Sequence, residues 1–391
     1  MRTKVAIIGS GPSGLLLAHL LYKAGVESIV LERKDRDYVL ARIRAGLLEE
    51  GTVRLMEQVG VSERLHAEGL VHEGITLMVD GVGHRVDMAA LTGGKTVTIY
   101  GQTEVTRDLM DAAAERDIPI LWNCDQVALH DVDTDKPYVT FVRDGEAQRI
   151  DADFIAGCDG FHGPSRQAIP PEVRREFERV YPFGWMGIMA DVPPCHHELI
   201  YSNHERGFAL ATMRSNTRSR YYVQCSLQDR IEDWPDERMW DELAIRLGPE
   251  AAASMTRAPS IEKSIAPLRS FVSEPLRHGR LFLAGDAAHI VPPTGAKGLN
   301  LAAADVGFLA EALAEFYEGG KASALDSYSD RALSRVWKAE RFSWWFTMLT
   351  HRFPDQTEFE RKMQIAEIEY IFSSKAAQTV MAENYVGLPR R

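Results

Sequence analysis

Cysteine is scarce in this chain and forms no recognisable pattern. The 391 residues hold no Cys-x-x-Cys pair, and the cysteines are Cys124, Cys158, Cys195 and Cys225. Proteins that depend on disulfides are far richer in cysteine, so a disulfide framework is not expected. Cys195-His196-His197, followed by His204, lacks the usual spacing of zinc ligands, and we predict no metal site.

Long hydrophobic runs are also absent. Runs such as residues 5–8 and 281–284 are far shorter than the ~20 residues that span a bilayer. The apolar run at the N-terminus is ended by Gly9 and Gly11, which is too early for the core of a signal peptide. We therefore predict a soluble, cytoplasmic protein with no membrane partner.

Positive charge is in deficit. The chain has 45 Lys and Arg against 56 Asp and Glu, a net charge of −11. A nucleic-acid partner normally requires a basic surface, so this class is not expected. Overall acidity still allows small anionic ligands to bind at local clusters of arginine. The serines near glycine lack a Gly-x-Ser-x-Gly elbow, which argues against a hydrolase.

The order of apolar segments predicts an α/β fold. Residues 4–8 and 28–32 are typical of buried strands and residues 14–23 of a helix, which together make a βαβ unit with parallel strands. Strand-like segments dominate at 184–226, and helical patterns dominate from residue 322. We predict a Rossmann-like nucleotide-binding domain at 1–175 that resumes at 269–319, an inserted sheet-rich substrate domain at 176–268, and a helical C-terminal interface segment at 320–391.

A glycine-rich segment follows the first predicted strand. In Gly9-Ser10-Gly11-Pro12-Ser13-Gly14, the first glycine permits a tight turn, the second lets the backbone approach a pyrophosphate, and the third lets helix and strand pack closely. The helix that begins here offers free N–H groups to phosphates. Glu32 ends the second strand at the distance expected for a ribose contact. The segment predicts a dinucleotide ligand, without separating a flavin from a nicotinamide.

Two further glycine-bearing segments follow predicted strands, one with Asp159-Gly160 and one with Gly285-Asp286. An aspartate at the end of a buried strand needs hydrogen-bond donors, which the ribityl chain of a flavin would supply. After the second segment, a helix begins at about Leu299. Its positive end would stabilise the negative charge on the pyrimidine edge of a reduced flavin.

These three segments together resemble those of the group A flavoprotein monooxygenases. Four longer stretches, at 42–46, 100–107, 218–224 and 383–389, are similar to members that hydroxylate 4-hydroxybenzoate. The resemblance covers nearly the whole chain. It implies non-covalent FAD, NADPH as co-substrate, O2, a flavin C4a-hydroperoxide, the product 3,4-dihydroxybenzoate and a homodimer. The alternatives are a hydroxylase with a different or broader benzoate substrate, and a flavin reductase or flavin-binding protein that inserts no oxygen.

The resemblance also implies roles for individual residues around the substrate. Arg214 would grip the carboxylate, because its planar guanidinium pairs well with two oxygens. The implied proton relay is Tyr201, Tyr385 and His72. The implied substrate contacts are Tyr201, Thr212, Met213, Arg214, Tyr222 and the Pro293 carbonyl. Thr212 departs from a member of the family that carries serine at this position, and the extra methyl group predicts a tighter pocket.

The implied cofactor contacts are more numerous. For FAD they are Gly9, Gly11, Ser13, Gly14, Glu32, Arg33, Arg42, Ile43, Arg44, Ala45, Gly46, Leu47, Gln102, Asp159, Arg220, Asp286, Lys297, Gly298, Leu299 and Asn300. Two of these, Arg220 and Lys297, would keep the site positive. For NADPH they are Arg33, Tyr38, Arg44, His162 and Arg269. Cations after Glu32 suit a 2′-phosphate and predict NADPH over NADH. The alternative is that these charged residues are only a solvent-exposed run with no ligand.

Overall fold

The computed structural model describes residues 1–42 and 46–389. Its helices are α1 (Pro12–Lys23), α2 (Arg36–Leu40), α3 (Glu50–Val59), α4 (Glu63–Glu68), α5 (Met88–Thr92), α6 (Gln102–Glu115), α7 (Asp236–Ser254), α8 (Gly298–Gly319), α9 (Ser323–Asp326), α10 (Tyr328–Thr350), α11 (Glu358–Ser373) and α12 (Lys375–Val386). Within these residues, no helix combines the length and apolar character needed to cross a lipid bilayer.

The strands form three sheets. In chain order they are β1 (Arg2–Ile8), β2 (Ser28–Leu31), β3 (Leu47–Glu49), β4 (Leu70–His72), β5 (Gly74–Val79), β6 (Val82–Asp87), β7 (Val97–Ile99), β8 (Ile120–Leu121), β9 (Asp125–His130), β10 (Tyr138–Arg143), β11 (Glu146–Gly157), β12 (Arg175–Ala190), β13 (Ile200–Asn203), β14 (Ala209–Ser215), β15 (Arg218–Cys225), β16 (Glu262–Glu274), β17 (Arg277–His278), β18 (Leu281–Leu283) and β19 (His289–Ile290).

The first sheet has the order β17-β18-β11-β1-β2-β8, with β9 and β10 attached through β11. Its central strands β18, β11, β1 and β2 are parallel to one another. The predicted βαβ unit is confirmed, because α1 connects β1 to the parallel β2. Strand β1 is buried along most of its length, which explains its continuous apolar sequence, since parallel sheets are covered on both faces.

The second sheet has the order β19-β16-β12-β15-β14-β13-β5-β6, and the short strands β3, β7 and β4 form a third sheet. Strands β13 to β15, and β12 apart from its first residue, lie within the predicted substrate domain. However, β5 and β6 come from the preceding segment, and part of β16 and all of β19 come from the following one. The second sheet therefore includes strands from segments assigned to the nucleotide-binding domain. The α/β fold class is confirmed, while the domain boundaries stay a prediction.

The two faces of the second sheet are covered by different helices. One face contributes Tyr201, Leu210 and Trp185 to an apolar cluster with Phe346 of α10 and Tyr385 of α12. The opposite face contributes residues such as Tyr221 and Val223 to a cluster with α7. Side chains alternate between the faces of a strand, so neighbouring residues of β15 belong to separate cores.

Candidate active site

The three glycine-bearing segments meet at one edge of the first sheet. Strands β1, β11 and β18 are adjacent and parallel, and each is followed by one of the segments. The carboxyl ends of parallel strands lie at the same edge, where nucleotides bind in open α/β sheets. The parallel pairing therefore brings together segments that are far apart in the sequence.

Gly9 and Gly14 of the first segment lie so close to other backbone atoms that a side chain would not fit, whereas Gly11 faces open space. Gly9 has φ +101°, and a Cβ atom there would lie 2.4 Å from the carbonyl oxygen of Cys158. A Cβ atom on Gly14 would lie 2.0 Å from the carbonyl oxygen of Gly9. A Cβ atom on Gly11 would meet no protein atom within 4 Å. The Gly11 backbone, at the start of α1, is therefore accessible to a phosphate group.

The carboxylate of Glu32 is held in one orientation. It accepts hydrogen bonds from the backbone N–H of Ser10 (2.9 Å), the Ser10 hydroxyl (3.0 Å) and the backbone N–H of Lys34 (2.9 Å). A carboxylate offers about four lone-pair sites. The remaining acceptor capacity fits the ribose hydroxyl that the sequence predicts.

Only one of the two carboxylate oxygens of Asp159, in the second segment, has a hydrogen-bond partner among the described residues. Its Oδ2 accepts a hydrogen bond from the Ser165 N–H at 2.9 Å, whereas Oδ1 is buried without a partner among the described residues. Burial raises the pKa of this carboxyl group. A buried acceptor needs a donor, so the edge fits a ligand rich in hydroxyl groups, as FAD is. Asp286, on the short turn Gly285–Ala287, is exposed at the same edge.

The start of α8 is tied to β3. The Asn300 amide oxygen accepts from the Glu49 N–H (2.8 Å) and the Thr52 hydroxyl (2.7 Å), and its NH2 group donates to the Leu47 carbonyl (2.9 Å). These bonds connect the helix start, where Gly298 and Leu299 also lie, to the segment after residues 43–45. The predicted contacts Ile43, Arg44 and Ala45 lie outside the described residues.

Glu49 has a role that sequence reasoning missed. Its buried carboxylate accepts from Lys297 Nζ at 2.7 Å and from Arg335 Nη2 at 2.9 Å, and Lys297 also donates to the Tyr385 carbonyl at 2.8 Å. Burial lowers the pKa of Lys297. The cation predicted to keep the site positive is therefore paired with an anion. Lys297 and Glu49 are 248 residues apart, and no local signal relates them.

The other predicted flavin contacts are spread over several elements. A Cβ atom on Gly46 would lie 2.3 Å from the Tyr100 carbonyl oxygen, so the segment before β3 touches the start of α6 at Gln102. Arg42 donates to the Tyr38 hydroxyl at 3.3 Å. Ser13 is buried in α1.

Three of the predicted substrate residues, Tyr201, Thr212 and Tyr222, lie on one face of the second sheet. Leu210 of β14 pairs with Tyr201 of β13 and with Tyr222 of β15. Two residues further along β14, Thr212 pairs with Arg220. Directly paired residues point to the same face, and so do residues two apart in a strand. Strand pairing therefore places Tyr201, Tyr222, Thr212 and Arg220 together.

Two tyrosine hydroxyl groups meet at this face. The oxygen atoms of Tyr201 and Tyr385 are 2.7 Å apart, although the residues are 184 positions apart in the sequence. Both side chains are buried, and burial raises the pKa of each hydroxyl group above its ordinary value. The pair can therefore donate and relay hydrogen bonds while both side chains stay neutral.

Two arginines surround Tyr222. Burial works to raise the pKa of Tyr222, but the charges of Arg214 and Arg220 outweigh burial and lower it. Arg214 donates to the Met213 carbonyl at 2.9 Å, while its Nε is buried without a partner among the described residues. Burial also lowers the pKa of Arg214. A charged group with unused donors in a protected position suits an anionic ligand.

Arg220 has an anionic partner that sequence reasoning missed. It forms an ion pair with Glu262 and donates to the Ser264 hydroxyl at 2.8 Å. Its guanidinium also lies 5.1 Å from the centre of the Tyr222 ring. Glu262 lies on β16, separated from β15 by β12, so only the strand order could reveal it.

Thr212, Pro293 and His72 make few contacts of their own. The Thr212 hydroxyl is 3.5 Å from the Met213 carbonyl, a weak bond at best, and the Pro293 carbonyl accepts from the Ala296 N–H at 2.9 Å. His72 is buried in β4, and neither ring nitrogen has a partner among the described residues. Burial lowers its pKa to about 4, which makes it neutral at neutral pH.

The predicted NADPH contacts lie at the surface. Arg33, Tyr38 and His162 are exposed. Arg269 forms an ion pair with Glu178 at 3.4 Å. Within the described part of the chain, Arg33 makes no ion pair, whereas its neighbour Arg36 pairs with Asp111 at 2.5 Å.

Comparisons with known proteins show the family of this chain. Residues 2–343 match the family described as FAD binding domain. The chain belongs to this family and is a group A flavoprotein monooxygenase. It is 57% identical over 389 residues to p-hydroxybenzoate hydroxylase of Acinetobacter baylyi, a match that covers 100% of this chain and 96% of that protein. It is also 28% identical to a probable NADH-specific resorcinol 4-hydroxylase of Rhodococcus jostii, over 83% of this chain and 61% of that protein.

Solved structures share the fold. The crystal structure of p-nitrophenol 4-monooxygenase PnpA from Pseudomonas putida superimposes with a TM-score of 0.84 at 18% identity, covering 99% of both chains. The complex of aklavinone-11 hydroxylase with FAD and aklavinone gives a TM-score of 0.74 at 21% identity, covering 89% of this chain and 69% of that one. At such identities the likeness concerns the fold alone.

Proposed function

We propose that this enzyme hydroxylates 4-hydroxybenzoate at the carbon beside its hydroxyl group. The products are 3,4-dihydroxybenzoate, NADP+ and water, from 4-hydroxybenzoate, NADPH, a proton and O2. The observation that carries the proposal is the Tyr201–Tyr385 pair, on the same sheet face as Tyr222 and its two arginines. The 57% identity to a p-hydroxybenzoate hydroxylase supports the same substrate.

FAD would be held at the carboxyl edge of the first sheet. The Gly11 backbone and the start of α1 would hold its pyrophosphate, Glu32 a ribose hydroxyl, and Asp159 and Asp286 other hydroxyl groups. When bound, FAD supplies the electron transfer from NADPH and the activation of O2, which no side chain provides. The protein's part is to bind, orient and ionise the aromatic substrate.

Arg214 and Tyr222 would bind the carboxylate end of the substrate. The unused donors of Arg214 match a carboxylate, and the lowered pKa of Tyr222 strengthens its hydroxyl group as a donor. The hydroxyl group of Thr212, which points to the same face, adds a third donor. Charge-assisted hydrogen bonds of this kind are about twice as strong as neutral ones.

Tyr201 would bind the hydroxyl end. A free phenol has a pKa of ~10, so its ionisation at pH 7 costs roughly 4 kcal/mol. Because burial holds the pKa of Tyr201 high, this residue keeps its proton and donates a hydrogen bond to the ionised substrate. Tyr385 then donates to Tyr201, and we infer that the released proton leaves through this pair toward His72, whose ring nitrogens have no other partner among the described residues. Nearby arginines favour the phenolate.

Product analysis tests this proposal. With FAD, NADPH, O2 and 4-hydroxybenzoate, we expect 3,4-dihydroxybenzoate in nearly one-to-one ratio to the NADPH consumed, with little hydrogen peroxide. A panel of other benzoates should give slower turnover. Faster and better-coupled turnover of another benzoate would refute the substrate, and peroxide without any hydroxylated product would indicate a flavin reductase.

Loss of the Tyr201 hydroxyl group should separate hydroxylation from NADPH use. In Tyr201→Phe we expect product per NADPH to fall at least tenfold, with hydrogen peroxide replacing it, because the phenolate loses its donor. The matched control is Tyr221→Phe in β15, whose ring lies on the opposite face against Trp240. If Tyr201→Phe forms as much product per NADPH as this control, the assigned role of Tyr201 is wrong.

The coenzyme preference has its own test. We infer that Arg33, with no ion pair in the described chain, binds the 2′-phosphate of NADPH. Arg33→Gln should reduce the NADPH-to-NADH ratio of kcat/KM about tenfold, which corresponds to ~1.4 kcal/mol. Arg36→Gln, whose arginine already pairs with Asp111, should change it little. A wild-type enzyme that uses NADH equally well would contradict the inference.

We also infer a homodimer. Helix α11 exposes Phe359, Met363 and Tyr370, with 72%, 54% and 59% of each residue accessible, and their spacing puts them on one helical face. Exposed apolar patches of this kind often mark protein contacts, and a second copy is the occupant we propose. Sedimentation velocity should show a dimer that Met363→Glu dissociates, while a monomeric wild type would refute it. The cytoplasmic location stays a prediction.

A further inference from the structure

A buried, hydrogen-bonded pair of side chains, His289 and Asp305, lies directly behind the Gly285-Asp286 segment. His289, on β19, donates from Nε2 to Oδ2 of Asp305, on α8, at 2.6 Å. Both side chains are only 1% exposed. The same Oδ2 accepts a hydrogen bond from the backbone N–H of Gly285 at 3.0 Å. One carboxylate oxygen therefore connects helix α8, strand β19 and the turn that carries Asp286.

The Gly285 turn has little room to move. Its φ is +62°, and a Cβ atom there would lie 3.1 Å from the Ala302 Cβ and 3.4 Å from the Ser13 hydroxyl. The turn is therefore packed between α8 and the first glycine-rich segment. Any displacement of Asp305 would shift the N–H of Gly285, and with it the adjacent Asp286.

The surroundings of His289 favour the charged form of its ring. Burial opposes the charging of His289, but the Asp305 carboxylate outweighs burial and raises the pKa of His289. The carboxyl groups of Asp286 and Glu340 act on His289 in the same direction. A buried ion pair contributes little net stability, because desolvation offsets most of the attraction. We therefore consider how the pair positions the Gly285 turn rather than how much it stabilises the fold.

We infer that His289 and Asp305 are positioning residues for FAD, which hold the Gly285 turn so that Asp286 faces the sugar-alcohol chain of the cofactor. His289 orients the carboxylate of Asp305, and Asp305 orients the turn. The inference rests on Asp286 as a flavin contact, but not on the identity of the aromatic substrate. It can therefore fail or hold independently of the proposed hydroxylation.

The test measures FAD affinity and apoprotein stability separately. In Asp305→Ala we expect the dissociation constant of FAD, from quenching of flavin fluorescence by the apoprotein, to rise at least tenfold. In Asp305→Asn the amide oxygen can still accept from Gly285, so the rise should stay within about threefold. Likewise, His289→Gln retains a donor and should bind FAD more tightly than His289→Leu.

Tyr328→Phe is the matched control. It removes a buried hydrogen bond from the Tyr328 hydroxyl to the Leu283 carbonyl, 2.7 Å long, on the strand that leads into the turn. This variant should lower the melting temperature of the apoprotein while leaving the FAD dissociation constant within twofold of wild type. The inference is overturned if Asp305→Ala weakens FAD binding no more than Tyr328→Phe. If Asp305→Ala does not fold, equal affinities of His289→Gln and His289→Leu overturn it.

Discussion

Arg214→Ala should weaken the binding of 4-hydroxybenzoate about a hundredfold or more. Removing one partner of a protected, charge-paired contact costs roughly 2–5 kcal/mol, and about 2.7 kcal/mol corresponds to a hundredfold change in the dissociation constant. Arg214 uses one donor on the Met213 carbonyl and leaves Nε without a partner in the described chain. The side chain is therefore available to a ligand. Titration of the FAD-bound protein with 4-hydroxybenzoate, followed by the change in flavin absorbance, measures the effect.

Arg218→Ala is the control for this prediction. Arg218 lies in the same hairpin, but its side chain is 47% exposed and pairs with Asp191 at 2.6 Å. Surface pairs contribute ~1 kcal/mol or less, so substrate affinity should hardly change. Arg214→Lys, which keeps the charge and loses the planar fork, should lie between alanine and wild type. If Arg214→Ala binds 4-hydroxybenzoate as tightly as wild type, Arg214 does not bind the substrate carboxylate.

Gly11→Val should abolish FAD binding without unfolding the protein. The φ of Gly11 is −66°, which any residue can adopt, and a Cβ atom there meets no protein atom within 4 Å. The valine side chain would instead fill the space above the helix start, where the pyrophosphate is expected. We expect colourless purified protein, an FAD affinity at least a hundredfold weaker, and an apoprotein melting temperature close to that of wild type.

Gly51→Val is a matched control, because a Cβ atom at Gly51 also meets nothing within 4 Å, but the residue lies in α3. It should retain FAD. Gly14→Val should lose both FAD and stability, since its Cβ atom would lie 2.0 Å from the Gly9 carbonyl oxygen. A yellow Gly11→Val protein with wild-type flavin content would show that the cofactor does not approach this part of the backbone.

The carboxyl edge of the first sheet, where we expect FAD, was predictable because the sequence patterns that indicate it are local. Each glycine-bearing segment directly follows an apolar strand, so a few consecutive residues indicate both the strand and the turn. Parallel strands place their carboxyl ends together, and the structure confirms the adjacency of β1, β11 and β18. Gly9 and Gly14 have a structural reason as well, since both positions lack room for a side chain.

The substrate side was predictable only through resemblance. Nothing in the sequence around Tyr201 or Tyr385 relates one to the other, and their contact depends on how α12 packs against the second sheet. The anions Glu49 and Glu262 were missed for the same reason. Each pairs with a cation from a distant element. The residues next to a carboxylate in the sequence do not indicate which cation it contacts.

The sequence by itself determined the α/β class, the three turns at the cofactor edge and the family, because these depend on short segments that form the same structure wherever they occur. Only the tertiary structure decided that β5 and β6 join the second sheet, that Lys297 and Arg220 are each paired with a carboxylate, and that two tyrosine hydroxyl groups meet. The physical reason is that these contacts form between elements far apart in the chain, where packing and strand order, rather than neighbouring residues, select the partners.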